Sequence, residues 1–167
     1  MAWSAGERKG HLHAGRNPQR MSPTILLVPV EPAPTREVLE DLAARLLTAF
    51  GRTVDLREPL RPPSAAVICP DLCAAAPVAG AVAATLGCGC RDLLIGVTAA
   101  SIAGNGPPAP RTCGGVLLLS APRGASPHSL VREVGLHAGL GDCPDPGCAM
   151  HPQGEGADLC RACRGRC

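Results

Sequence analysis

The residues best suited to chemistry are four cysteines near the C-terminal end of the chain. They form two closely spaced pairs, Cys143/Cys148 and Cys160/Cys163, with the spacings Cys-x4-Cys and Cys-x2-Cys. Four thiolates in such pairs are the ligand set of a closed, tetrahedral structural zinc site. The segment that carries them has almost no apolar side chains to bury, so a bound metal would supply the folding energy. We therefore predict one structural zinc in a cysteine knuckle at residues 143–163.

The overall use of cysteine favours a metal over disulfides. The chain has ten cysteines in 167 residues, and its N-terminal segment contains no apolar stretch of the kind found in secretory signals. Disulfide-rich scaffolds are typical of short secreted chains, so we expect a reduced, cytoplasmic protein. The pairs Cys69/Cys73 and Cys88/Cys90 have no histidine or carboxylate cluster to accompany them. Either pair could bind a metal, but we interpret these four as small buried apolar residues; the role of Cys113 stays open.

Composition and charge argue against several kinds of partner. The formal net charge is only +2, which gives no general case for binding nucleic acid or a membrane surface. The longest apolar run, residues 73–86, is interrupted by Pro77 and Gly80 and is too short to span a bilayer. Three arginines surround the last cysteines: Arg161, Arg164 and Arg166. We interpret them as solvated residues or as cations that tune the pKa of the neighbouring thiols.

The apolar pattern predicts an α/β domain. The run ILLVPV at Ile25–Val30 is typical of a strand buried on both faces, with Pro29 marking its end or a nearby sheet edge. Residues 53–56 form a second short strand, and the helix between the two makes them a parallel pair. Further strands are predicted at Leu93–Thr98, in the centre of the sheet, and at Val116–Ser120, and a helix at residues 79–86.

Two helices have clear end signals. Thr35 and Gly51 are suited to the N-cap and C′ positions of the first helix. Its predicted core-facing side chains recur at helical spacing and are Leu39, Leu42, Ala43, Leu46, Leu47 and Phe50. The last helix begins with Ser126 as N-cap and Pro127 at the first helical position, and it ends before Gly139.

The chain divides into an extension and one domain. Residues 1–22 are polar, rich in Gly and Arg and without periodicity, so we predict a disordered N-terminal extension. Its histidines, His11 and His13, are interpreted as solvated tail residues. Residues 23–167 form a single domain, as the chain length suggests.

The last helix and the cysteines together resemble a known family. Residues 132–150 read REVGLHAGLGDCPDPGCAM. This is similar to the archaemetzincin signature, HExxHxxGxxH or HExxHxxGxxD, followed at once by Cys-x4-Cys-x-Met and later by Cys-x2-Cys. The matching residues are Glu133, Gly139, Asp142, Cys143, Cys148, Met150, Cys160 and Cys163. The phrases ILLVPV, EPL and LLIGVT extend the resemblance upstream to Ile25.

Archaemetzincins are zinc metallopeptidases of the metzincin type. The resemblance implies an α/β, metzincin-like fold: a small mixed, mostly parallel sheet with packed helices and a zinc-stapled C-terminal lobe. It also implies that Met150 occupies the Met-turn position beneath a catalytic zinc, although simple core packing explains a methionine there equally well.

Two ligands of the family's catalytic zinc are replaced in this chain. In HExxH, two imidazoles one helical turn apart bind the ion, and the Glu polarises the metal-bound water. Here Arg132 and Leu136 stand at the two histidine positions. Leu136 offers no lone pair and Arg132 carries a fixed positive charge. Asp142 is then the remnant of a three-ligand set, and Glu133 a general base without metal-bound water. We expect no catalytic zinc and no peptidase activity.

A specific hypothesis follows for Arg132. A cation replaces a ligand while an acidic residue is kept, so we expect the guanidinium to pair with Asp142 or with Glu133. Such a pair would hold the helix to the turn as the zinc does in the family. An Arg132 directed into solvent would contradict this hypothesis.

Three functions remain open from the sequence. The first is an archaemetzincin-like zinc-binding protein without peptidase activity, which serves as a binding or regulatory module for an unknown protein or peptide partner. The second is an active zinc metallopeptidase with a rebuilt site of Glu133, His137 and Asp142, which His128 or His151 could approach. His137 is rotated about 100° from the lost ligand position, which weighs against this site. The third is a zinc-knuckle interaction module that uses the basic tail.

Overall fold

The computed structural model describes residues 24–86, 92–103, 115–120 and 127–166. Within these residues the elements are, in chain order, β1 (Ile25–Val30), α1 (Arg36–Phe50), β2 (Val54–Leu56), β3 (Val67–Cys69), β4 (Leu72–Ala74), α2 (Ala75–Leu86), β5 (Leu93–Thr98), β6 (Ser101–Ala103), β7 (Val116–Ser120), α3 (Pro127–His137) and α4 (Arg161–Arg164).

The main sheet has four parallel strands in the order β2-β1-β5-β7. Ile25 of β1 lies opposite Val54 of β2 on one side and Leu93 of β5 on the other. The four strands predicted from the sequence are these four, and their parallel pairing and the central place of β5 are confirmed. Parallel neighbours need a crossover connection, which α1 supplies between β1 and β2.

The central strands are apolar throughout because both faces of the sheet are covered. Along β1, Ile25 and Leu27 join a cluster with α1, α3 and the segment that carries the four cysteines, residues 142–166, here called the cysteine lobe. Leu26 and Val28 join a second cluster with α2. A period of two therefore sends alternate residues into two different cores. Proline has no N–H to donate, and in a strand the N–H and the carbonyl of one residue point to the same side. The carbonyl of Pro29 points to the β2 side and accepts from Leu60, beyond the end of β2, so no strand partner there needs the missing N–H.

Helix α1 lies where it was predicted, with two differences in its buried face: Leu47 is exposed, and Ala49, which was not predicted, is buried. Thr35 is the N-cap, although its side chain makes no capping hydrogen bond, and Gly51 ends the helix at a φ of 63°. Its buried residues are Leu39, Leu42, Leu46, Ala49 and Phe50. The prediction for Leu47 is wrong, since it is 51% exposed. One step along a helix turns a side chain by about 100°, which places Leu47 outside the stripe centred on Leu46.

Helix α3 ends in a Schellman motif, which reverses the chain toward the cysteines. The N–H of Gly139, at a φ of 87°, donates to the Leu136 carbonyl, and the N–H of Leu140 donates to the Gly135 carbonyl. The predicted C′ role of Gly139 is confirmed. Its positive φ favours glycine because a side chain there would be strained.

The structure also contains elements that the sequence did not predict. A second sheet of three short strands, in the order β3-β4-β6, packs beside the main one. Helix α2 begins at Ala75 rather than at residue 79, with Pro77 in its first turn. A proline is tolerated there because the first N–H groups of a helix have no partner within it.

The two cysteines of the pair Cys69/Cys73 differ in their exposure to solvent. Cys73 is buried as predicted, with 2% of its surface exposed. Cys69 is exposed, so its interpretation as a buried residue is wrong. It lies on β3, an edge strand of the small sheet with one strand partner. The predictions for residues 1–22, Cys88, Cys90, Cys113 and Ser126 fall outside the described residues.

No helix within the described residues has the length and apolar character needed to cross a membrane.

Candidate metal centre and the adjoining helix

The four cysteines predicted as ligands meet at one point after α3. The sulfur atoms of Cys143, Cys148, Cys160 and Cys163 all lie within 4.8 Å of one another. Among the described residues, they are the one group of three or more potential His, Cys, Asp or Glu ligands that converges in this way. Three of the four are buried and Cys160 is partly exposed. These residues could therefore hold a metal ion.

Distances and donor chemistry fit a tetrahedral thiolate site. The Sγ atoms of Cys143 and Cys160 are 3.7 Å apart. Zinc–sulfur bonds of about 2.3 Å in a tetrahedron give a sulfur–sulfur distance of about 3.8 Å. A disulfide would need about 2.05 Å, and none of the six cysteines within the described residues is in a disulfide. The cluster is thus spaced for an ion and not for a covalent bridge.

Hydrogen bonds are arranged to stabilise negative charge on sulfur. Cys148 Sγ accepts from the backbone N–H groups of Met150, at 3.5 Å, and Cys160, at 3.3 Å. Arg166 places Nη2 at 3.1 Å from Cys163 Sγ. Donors of this kind orient metal ligands and favour the thiolate form that binds a metal.

Two of the thiols have strongly shifted pKa values. A hydrogen bond from the Cys163 backbone is the main cause that lowers the pKa of Cys160 to about 7. Burial is the main cause that raises the pKa of Cys163 to about 12. Because metal binding requires thiolates, it must release a proton from Cys163 at neutral pH.

Met150 connects the cysteines to α3. Its side chain is fully buried, and a Cβ added to Gly135 of α3 would overlap its sulfur atom. Its carbonyl accepts a hydrogen bond of 3.0 Å from the N–H of Cys143. The core-packing interpretation of Met150 accounts for these contacts. Gly135 was not singled out from the sequence. The one available signal was that a glycine stands alone inside a predicted helix, which often marks a close packing contact.

Arg132 pairs with Asp142, as hypothesised. Its Nη2 lies 2.7 Å from Asp142 Oδ1, and its Nη1 donates to the Met150 carbonyl, also at 2.7 Å. The Arg132 side chain is 22% exposed and that of Asp142 is 62% exposed. A guanidinium holds its N–H groups in a fixed planar fork. Arg132 therefore binds both sides of the turn that follows its helix.

Glu133 and Leu136, the other two residues that align with the HExxH motif, do not take part in a group of converging metal ligands within the described part of the chain. Glu133 is exposed, yet the protein around its carboxyl removes enough water to raise its pKa. Leu136 is 47% exposed. Neither residue is a member of the one group of converging ligand atoms among the described residues.

His137 is directed away from Asp142 and toward the main sheet. Its Nε2 lies 3.0 Å from the carbonyl oxygen of Gly115, just before β7, and must carry the proton to donate there. A Cβ at Gly115 would lie 2.6 Å from His137 Cε1, so the ring occupies the space that glycine leaves. The structure does not bring Glu133, His137 and Asp142 together as ligands.

His151 makes a local hydrogen bond and does not belong to the group of converging ligand atoms found among the described residues. The Nδ1 atom of His151 accepts from the N–H of Gln153 at 3.2 Å. The side chain of His128 lies outside what the structure describes.

Two solved structures resemble this chain over most of its length. The archaemetzincin of Methanopyrus kandleri superposes with a TM-score of 0.55 at 18% identity, covering 90% of this chain and 96% of its own. The archaemetzincin of Archaeoglobus fulgidus, a complex with malonate, has a TM-score of 0.55 at 17% identity and covers 86% of this chain and 99% of its own.

The chain has an archaemetzincin-like fold. The predicted metzincin-like α/β architecture is confirmed, and at this identity the likeness shows the fold alone. No protein-family model matches the sequence, and no curated protein matches it either. Within this archaemetzincin-like fold, the four converging cysteines could hold a metal ion.

Proposed function

We propose that this protein is a cytoplasmic, archaemetzincin-like zinc-binding protein that has no peptidase activity and acts through a protein or peptide partner. The observation that supports this proposal is the pair of 2.7 Å hydrogen bonds from Arg132 to Asp142 and to the Met150 carbonyl. The last acidic ligand of the HExxHxxGxxD pattern is thereby paired with a protein cation.

Electrostatics supports the absence of a catalytic zinc. A catalytic zinc site needs three protein ligands and an open position. Leu136 has no donor atom, and a zinc ion at Asp142 would have to displace the guanidinium that now neutralises the carboxylate. Without metal-bound water, Glu133 has nothing to activate as a general base.

Zinc suits the cysteine cluster because the 3.7 Å between the Sγ atoms of Cys143 and Cys160 matches the spacing of thiolates around a single tetrahedral zinc ion. Tetrahedral sets of four thiolates select zinc or iron–sulfur clusters, and a closed set of four leaves no position for substrate. We propose one zinc with a structural role, held by Cys143, Cys148, Cys160 and Cys163.

The first test is the number of zinc ions per purified chain, measured by native mass spectrometry. We expect one zinc in the natural protein and none in Cys148→Ser. A second zinc that survives Cys148→Ser would favour the rebuilt peptidase site instead. A chain without zinc would contradict the proposed zinc-binding function, and cleavage of peptide substrates that a chelator abolishes would contradict the proposed inactivity.

A reconstruction tests whether the two replaced ligands account for the loss. The double variant Arg132→His with Leu136→His restores both histidine positions beside Asp142. We expect it to bind two zinc ions per chain. If it still binds one, the pocket differs from an active site in more than these two residues, and the explanation given above is wrong.

A further inference from the structure

We infer that Arg132 is a positioning residue for the cysteine metal site, because it fixes the turn that carries Cys143 and Cys148 to helix α3. This inference rests on the proposed function, since it takes the cysteine cluster to bind zinc. It assigns a present role to the residue that stands where a catalytic ligand stood.

The backbone of Met150 is the junction between Arg132 and two of the cysteines. Its carbonyl accepts both from Arg132 Nη1, at 2.7 Å, and from the N–H of Cys143, at 3.0 Å. Its own N–H donates to Cys148 Sγ at 3.5 Å. A carbonyl has two acceptor positions, and both are used here. Any displacement of the Met150 backbone therefore moves both the N–H that donates to Cys148 Sγ and the carbonyl that accepts from the Cys143 N–H.

The second arm of Arg132 holds the other end of the same turn. Asp142, at 2.7 Å from Nη2, immediately precedes Cys143, and Met150 comes two residues after Cys148. The guanidinium thus grips the chain on both sides of the Cys-x4-Cys loop. Its helix is itself anchored in the core through Val131 and Val134, which are 2% and 0% exposed.

The fork geometry makes this role specific to arginine. Two acceptors from different segments are bound by two nitrogen atoms held rigidly in one plane. A lysine ammonium keeps the charge but has one nitrogen atom on a flexible stem, so it reproduces one contact well and not both. A glutamine keeps polarity and loses the charge.

The test is zinc affinity, measured by competition with a chromogenic chelator on the full chain. Loss of a residue that orients metal ligands typically weakens binding by about 10–100-fold. We expect Arg132→Gln to weaken zinc binding by about tenfold or more, Arg132→Lys by less, and Asp142→Asn by less again because Met150 keeps its contact. Arg36→Gln is the matched control, since it removes a 2.7 Å ion pair with Glu40 on the exposed face of α1.

The outcomes separate this inference from the proposed function. A folded Arg132→Gln that binds zinc as tightly as the natural protein, or a loss equal to that of Arg36→Gln, overturns the inference and leaves the proposed function standing. Absence of zinc from the natural protein overturns the proposed function. If Arg132→Gln does not fold, Arg132→Lys and Asp142→Asn decide the question, and hydrogen exchange of the Cys143 amide provides a second readout. Its protection should fall in both variants.

Discussion

Two neighbouring regions of this molecule differ in how many potential metal ligands they have. One is the face of α3 that carries Arg132 and Leu136, together with Asp142 (the helix position), and the other is the cluster of four cysteines (the cysteine position). At the helix position, the sequence resemblance implies ligands at residues 132, 136 and 142; of these only Asp142 has a ligand side chain, and it is bound to Arg132. At the cysteine position, the sulfur atoms of all four residues that could hold a metal ion converge within 4.8 Å. Met150 touches both, through its carbonyl on one side and its N–H on the other.

The difference between the two positions follows from what else supports them. Helix α3 is anchored in the main core by Leu130, Val131 and Val134, so its place does not depend on an ion at its end. The cysteine lobe has one short helix, and its buried side chains are few. They are Cys143, Cys148, Ala149, Met150, Leu159 and Cys163. Without a metal, this lobe would have little to hold it together.

The largest effect should come from breaking the cysteine position. Cys148→Ser removes a fully buried ligand that accepts two backbone N–H groups. We expect loss of the zinc and melting of the lobe, because structural zinc sites contribute on the order of 10 kcal/mol or more to folding at neutral pH. Zinc content and hydrogen exchange over residues 140–166 measure this.

The control for this variant is Cys69→Ser, which changes an exposed cysteine outside the cluster. It should leave both measurements unchanged. If the amides of the lobe in a zinc-free Cys148→Ser were as protected from hydrogen exchange as in the natural protein, packing and not the metal would hold the lobe. The two positions would then not differ in what supports them.

An intermediate effect is expected at the residue that the two positions share. Met150→Ala opens a cavity at a fully buried site, and such truncations cost about 2–5 kcal/mol. Met150→Leu conserves volume and should cost less than about 1.5 kcal/mol. Urea denaturation followed by circular dichroism gives both values. If leucine is as damaging as alanine, the sulfur atom itself is needed, and packing is an insufficient account of Met150.

The smallest effect should come from Glu133 at the helix position. Removal of water raises the pKa of Glu133 in the folded protein, so the folded state binds more protons than the unfolded state between the two pKa values. Stability therefore falls as pH rises through that interval and stays lower above it. Glutamine has no charge to desolvate, so the variant Glu133→Gln should not show this decrease in folding stability with rising pH.

We expect the Glu133→Gln variant to be at least as stable as the natural protein at neutral pH, and the difference to vanish in acid below the ordinary pKa of a glutamate. Thermal melting at a series of pH values checks this. A variant that is less stable at neutral pH would show that the Glu133 carboxylate has a favourable charged partner, such as a cation bound at the helix position.

Much of the fold was readable from the sequence because its signals are local. The runs at β1 and β5 predicted strands buried on both faces, and Gly51 and Gly139 predicted the ends of α1 and α3. The small sheet β3-β4-β6 was missed because three-residue strands carry too few residues to show a period. For Arg166, the structure supports the interpretation as a cation that tunes a thiol, because its Nη2 lies 3.1 Å from Cys163 Sγ. Burial has the larger effect and raises the pKa of that thiol, and Arg166 acts against it to lower the pKa.

The sequence by itself determined which chemical groups each position has: four thiols at the spacing of a metal knuckle, and one carboxylate where a catalytic site would need three ligands. Only the tertiary structure decided what those groups meet. It directs His137 to Gly115 rather than to Asp142, and it brings Arg132 to Asp142 and Met150 at once. The reason is that residue type is a local property, whereas the partner of a side chain depends on how the Schellman turn at Gly139 folds the chain back on its helix.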